Sequence, residues 1–70
     1  MSEIKAGITG IIQSIEITAG DSISVGQVVF NIESMKMIIP VESTEAGTIS
    51  EIKVSTGDFV NEGDVLATLV

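Results

Sequence analysis

Gly10-Ile11-Ile12-Gln13-Ser14-Ile15-Glu16-Ile17 and Gly47-Thr48-Ile49-Ser50-Glu51-Ile52-Lys53-Val54 lie 37 residues apart and read as two versions of one segment. The same offset continues without a gap. Gly20-Asp21 falls on Gly57-Asp58, Ile23 on Val60, Gly26 on Gly63, Val28-Val29 on Val65-Leu66 and Ile32 on Leu69. Turn-forming and apolar residues agree in a single register, the mark of a duplicated supersecondary unit. Two copies suit a pseudo-two-fold arrangement, because a solenoid needs three or more.

Each copy is β in character: Ile and Val dominate, helix-period runs are absent and Gly recurs every several residues. Apolar and charged residues alternate in Ile15-Glu16-Ile17 and Ile52-Lys53-Val54, as on a half-buried strand. Ile12 to Ile15 and Ile49 to Ile52 each break that parity by one residue, which predicts a bulge or bend at the same place in both copies. Gly20-Asp21, Gly26-Gln27, Gly57-Asp58 and Gly63-Asp64 supply turn chemistry. The predicted strands are 10–18, 28–34, 37–41, 47–54 and 65–69, with brief extended pieces around 23 and 60. Together they specify an all-β fold, a small flattened barrel or two-sheet sandwich, antiparallel and closing its own edges. Residues 1–70 form a single domain, with repeat halves at 10–33 and 47–70 and a hairpin at 34–40 in the junction. Phe30 and Phe59, the two aromatics, are assigned to the core or its rim, and Lys5 to an N-terminal segment without an assigned element.

Composition removes most chemistries. With no Cys and no His in 70 residues, thiolate or imidazole metal sites, Cys nucleophiles and His-based acid–base catalysis are unavailable. Paired carboxylates remain, but so small a domain has little volume for a substrate cleft and no Trp or Tyr to line one. The expectation is a chain with no catalytic residues and no metal, not an enzyme by itself. A net charge of -7 argues against nucleic acid and anionic membranes, whose recognition rests on clusters of Lys and Arg. The acidity fits a solubilising surface, or a basic partner. Met1-Ser2-Glu3-Ile4-Lys5 lacks the layout of a signal peptide, and no stretch approaches ~18 uninterrupted apolar residues. No membrane insertion and a cytoplasmic location are expected.

The lysine at position 36 stands apart. Only Lys5, Lys36 and Lys53 are cationic, and Met35 and Met37, the non-initiator methionines, both flank Lys36. Lys53 alternates with Ile52 and Val54 as a solvent-face charge, whereas Met35 to Pro40 lies in the junction and has no duplicate. The pseudo-two-fold makes the exit of the C-terminus the mate of this junction, so Lys36 is expected at a tip far from Val70. The methionines have two readings: core filling under the hairpin, or a soft, adaptable recognition surface.

Glu33-Ser34-Met35-Lys36-Met37 resembles the Glu-Ala-Met-Lys-Met attachment motif of biotinyl domains, the biotin carboxyl carrier modules of biotin-dependent carboxylases, decarboxylases and transcarboxylases. Ser34 departs by one small residue. Ala6-Gly7-Ile8-Thr9-Gly10 stands where the family has Ala-Pro-Met-Pro-Gly, keeping the first and last residues and losing both prolines; Ile38 replaces a residue that is often polar. Gly20-Asp21, Gly26, Ala46-Gly47, Gly57-Asp58, Val60 and Gly63 also match, so the likeness covers nearly the whole chain. It implies the biotinyl/lipoyl-like barrel-sandwich hybrid fold. It further implies that Lys36 is biotinylated on its ε-amine by a biotin protein ligase using ATP, with Met35, Met37 and Glu33 read by ligase or partner. The swinging arm would then shuttle carboxybiotin between biotin carboxylase and carboxyltransferase components. Two alternatives stay open: a carrier of lipoate or of either cofactor, although lipoyl hairpins usually have Asp-Lys-Ala, and an unmodified β-sandwich used for protein interaction.

Overall fold

Segments of β-branched residues, stopped by Gly-Asp turns, pair in the computed structural model into eight strands; the structure describes residues 2–70. In chain order these are β1 (Ser2–Lys5), β2 (Gly10–Ile15), β3 (Ser22–Ile23), β4 (Val28–Ser34), β5 (Met37–Glu42), β6 (Gly47–Ile52), β7 (Phe59–Val60) and β8 (Val65–Leu69). They form two four-stranded sheets, ordered β1-β8-β6-β3 and β5-β4-β2-β7, with every pairing antiparallel.

The 37-residue offset relates individual hydrogen bonds. Ile12 N–H donates to the Asp58 carbonyl and Ile49 N–H to the Asp21 carbonyl, both at 2.8 Å. Gly57 N–H donates to the Ile12 carbonyl and Gly20 N–H to that of Ile49, again both at 2.8 Å. Each copy thus places its Gly-Asp turn and short strand, β3 or β7, on the first strand of the other copy. The turns are built alike: the Asp21 carboxylate accepts Thr18 N–H and the Asp58 carboxylate accepts Ser55 N–H, at 2.8 Å each. Gly20 and Gly57 sit at φ 97 and 96°, where a Cβ would be strained.

The parity breaks are bulges. Pairing with β4 shifts between Ile12 and Ser14, and pairing of β6 with β8 shifts between Ile49 and Glu51, leaving Gln13 and Ser50 as the extra residues. A second matched pair of shifts, Val28/Phe30 in β4 against β5 and Ile4/Lys5 in β1 against β8, was not visible in the residue pattern. There Val29-Phe30 and Leu66-Ala67 turn consecutive residues inward, all four fully buried. With Ile12, Ile32 and Ile49 they form the centre of the core.

Three expectations need correcting. Residues 2–5 are a strand, and the repeat extends over them: Ser2 faces Leu69 as Ile39 faces Ile32, and Ile4 faces Ala67 as Val41 faces Phe30. Only Ile4 of β1 points into the core, too little apolar pattern to read alone. β2 and β6 end at Ile15 and Ile52, short of positions 18 and 54, because the chain bends there into the Gly-Asp turns. Phe59 does not plug the core. Two-residue β7 points Val60 inward at 2 % exposure, so alternation turns Phe59 outward at 64 %. Phe30, by contrast, is completely buried.

The path of β1 fixes where the β4–β5 hairpin lies. Ser2 pairs with Leu69 at the end of β8; β1 then runs away from that end, and the chain enters β2 at Gly10, against Glu33 near the tip of the hairpin. The hairpin tip and Val70 therefore occupy opposite ends of the sheets, in a molecule 32 Å long.

Gly10 is where β2 presses closest on its neighbour β4. A Cβ there would meet the Glu33 carbonyl and come within 2.7 Å of Ile32 Cγ2, whereas at Gly47, its two-fold mate, the nearest atom would be 3.3 Å away. Gly10→Ala should lose about 1–3 kcal/mol in urea unfolding, and Gly47→Ala clearly less. Equal losses would refute the asymmetry.

Candidate functional site: the β4–β5 hairpin tip

Ser34, the last residue of β4, faces Met37, the first of β5, so Met35 and Lys36 alone make the turn. A right-twisted hairpin closed by two residues favours a type I′ turn, with positive φ at both positions, usually filled by Asn-Gly. Met35 and Lys36 adopt φ 53 and 65° and are the two non-glycine residues of positive φ among the described residues. Left-handed backbone at a residue with a Cβ costs roughly 1–2 kcal/mol. Local propensity did not choose these residues; strain of this kind concentrates at sites under functional constraint.

The turn holds its lysine in the open. Lys36 is exposed, as are Met35 at 92 % and Met37 at 62 %, so neither methionine fills the core. The other lysines are engaged: Lys5 Nζ lies 3.8 Å from Glu3 Oε1 and Lys53 Nζ 2.9 Å from Glu51 Oε1. Among the described residues Lys36 has no such ion pair, so no carboxylate must be displaced before its amine reacts. Glu33 is exposed in β4, between Ile11 of β2 and Ile38 of β5. The structure thus gathers Glu33, Met35, Lys36 and Met37 at one end of one sheet. A stiff stem supports them. Ile32 is buried at 0 % against partly buried Ile39, and Pro40 lies on the edge strand, where its missing N–H breaks no ladder.

No group of His, Cys, Asp and Glu suited to a metal occurs among the described residues. A depression of about 280 Å³ forms a groove between residues 5–8 and β5, and Lys36 does not line it. An exposed, unpaired primary amine on a fixed turn fits covalent attachment of a carboxylic-acid cofactor through an amide.

Residues 1–69 match the biotin/lipoyl family model, described as biotin-requiring enzyme, and the chain belongs to that family. It is 47 % identical over 66 residues to a biotin/lipoyl attachment protein of Bacillus subtilis (strain 168), covering 94 % of this chain and 90 % of the relative. It is 37 % identical over 67 residues to a biotinylated protein TB7.3 homolog of Mycobacterium leprae (strain TN), covering 96 and 94 %. Among solved structures, the Kluyveromyces lactis urea carboxylase superposes with a TM-score of 0.90 at 30 % identity, covering 99 % of this chain and 6 % of that one. The lipoyl side is represented too: a dihydrolipoyllysine-residue acetyltransferase component of Cupriavidus necator is 38 % identical over 55 residues, covering 79 % of this chain and 10 % of the relative.

What the sequence reading missed here is the exposed apolar set Ile11, Ile38 and Phe59. Alternation from Ile12, Ile39 and Val60 would have turned each outward.

If the turn is strained as its φ values indicate, Met35→Asn should raise unfolding free energy by about 0.5–1 kcal/mol, since Asn tolerates the left-handed region. Urea titration checks this, and a loss of stability would contradict it.

Proposed function

We propose that Lys36 is the attachment point of biotin and that the domain is a non-enzymatic biotin carboxyl carrier. The observation that carries this is the hairpin tip: an unpaired, exposed lysine held between two exposed methionines on a two-residue left-handed turn. In the modification step the Lys36 amine attacks a biotinyl carbonyl that a biotin protein ligase has activated with ATP. An amide bond forms, the nucleotide leaves with the former carboxyl oxygen, and the amine gives up its proton. Formal charge moves from -7 to -8. Bound biotin supplies the capacity to carry a carboxyl group; that chemistry belongs to the cofactor and to partner enzymes. The chain's own part is to present the arm at a fixed tip and to keep it at high effective concentration near carboxylase and carboxyltransferase sites.

The methionines at 35 and 37, with Glu33, are assigned to recognition by the ligase and these partners: thioether side chains adapt to a foreign surface at little cost. We place the carrier in the cytoplasm; no helix among the described residues is long and apolar enough to cross a membrane. Lipoate is the second reading. It is supported by the B. subtilis relative, whose name covers both cofactors, and by the match to the acetyltransferase component. Met35 and Met37, and the likeness to a protein named as biotinylated, favour biotin.

Purified protein incubated separately with a biotin protein ligase and a lipoyl ligase, each with its cofactor and ATP, should gain one biotinyl mass with the first. Intact mass spectrometry reads the result, with Lys36→Arg as the blank; gain with the lipoyl ligase only would overturn the assignment. Changing Met35 to Asp and Met37 to Ala should move a competition between the two ligases toward lipoylation at least tenfold. Unchanged selectivity would remove the methionines from recognition.

A further inference from the structure

The outer face of the β5-β4-β2-β7 sheet carries one cross-strand row. Ile38 faces Glu33, Glu33 faces Ile11, and Ile11 faces Phe59, one residue from each of the four strands. Residues directly opposite in antiparallel strands share a face, and all four are exposed, Ile38 at 50 %, Ile11 at 46 % and Phe59 at 64 %. With strands about 4.8 Å apart, the row spans about 15 Å. It begins one residue beyond Met37, at the base of the Lys36 turn.

The pseudo-two-fold supplies an internal control. The mate of Phe59 is Ser22 and the mate of Ile11 is Thr48, and these two are likewise paired and exposed on the other sheet. The scaffold therefore accepts small polar residues at these positions. The apolar row is found on the sheet that bears the lysine, and folding does not require it there.

We propose that this row is a docking shelf for the ligase that acylates Lys36, which would meet it with an apolar surface flanked by basic side chains. The inference rests on the reading of Lys36 as the acyl acceptor. Two observations select this occupant. The unmodified amine has no arm, so the ligase must bring its activated acyl group to the turn itself, and the sheet face beside the turn then lies against the ligase. Glu33 within the row and a net charge of -7 match a basic rim, and disfavour a second copy of the same chain. Three apolar side chains also fall well short of the roughly 800 Å² per partner of a stable dimer.

The test gives each position the residue of its own two-fold mate: Ile11→Thr, Phe59→Ser and the pair together. Initial rates of Lys36 acylation are measured against carrier concentration, using a biotin protein ligase and a lipoyl ligase with their cofactors and ATP. The pair should raise KM at least tenfold with kcat within twofold and the thermal midpoint within a few degrees. Ser22→Ala with Thr48→Ala, on the opposite sheet, should leave KM unchanged. An unchanged KM in the Ile11/Phe59 pair overturns the shelf while leaving Lys36 as acceptor. An equal rise in the Ser22/Thr48 pair also overturns it. A wild-type dimer in sedimentation that the Ile11/Phe59 pair dissociates gives the face to a second copy. If neither ligase labels the wild type, the reading of Lys36 and the shelf fall together.

Discussion

Each half of this molecule is completed by the other. The hydrogen bonds between Ile12 and the Gly57-Asp58 turn, and between Ile49 and the Gly20-Asp21 turn, exchange a short strand across the pseudo-two-fold. Neither repeat half can finish its own sheet, and buried Ile23 and Val60 reach the core only through this exchange. In a chain of 70 residues, near the lower limit for a single hydrophobic core, such interlocking makes most contacts long-range. It also frees the β4–β5 turn from any structural duty beyond joining two strands.

The proposed function arises where the symmetry is broken. The strands that flank the Lys36 turn have mates in β8 and β1, yet these are the last and first strands in chain order, so no turn joins one to the other. A rigid stem that could accept Asn-Gly at its tip instead carries Met-Lys in left-handed backbone. That choice lowers local stability and gains an exposed amine that has no ion-pair partner among the described residues. The second break, Ile11 and Phe59 against Thr48 and Ser22, lies on the same sheet as the first. The two asymmetries reinforce each other. One presents the Lys36 amine, and the other gives the surrounding face a chemistry that its mate lacks.

Much of this was legible in the residues. The offset register located six of the eight strands, β5 was read separately in the junction hairpin, and the parity breaks at Ile12–Ile15 and Ile49–Ile52 located two bulges. β1 escaped because a four-residue edge strand with one inward side chain, Ile4, has almost no period; extending the offset to pair Ile4 with Val41 would have found it. Phe59 was misplaced by the general tendency of aromatic residues toward the interior, which single-residue alternation from Val60 overrides. The strained turn could not be read at all: Met and Lys carry no left-handed signal, and the positive φ values follow from register, Ser34 opposite Met37. Lys36 itself was visible as the lysine of the unduplicated junction and in the likeness of its surroundings to a biotinyl motif.

The central claim is that one lysine of three is addressed by modification, and peptide mapping of the protein isolated from cells growing on biotin tests it most directly. Tandem mass spectrometry should locate a biotinyl group on Lys36, with Lys5 and Lys53 unmodified. A biotinyl group on Lys5 or Lys53, or a chain that stays wholly unmodified while the cell's other carriers are labelled, would contradict it.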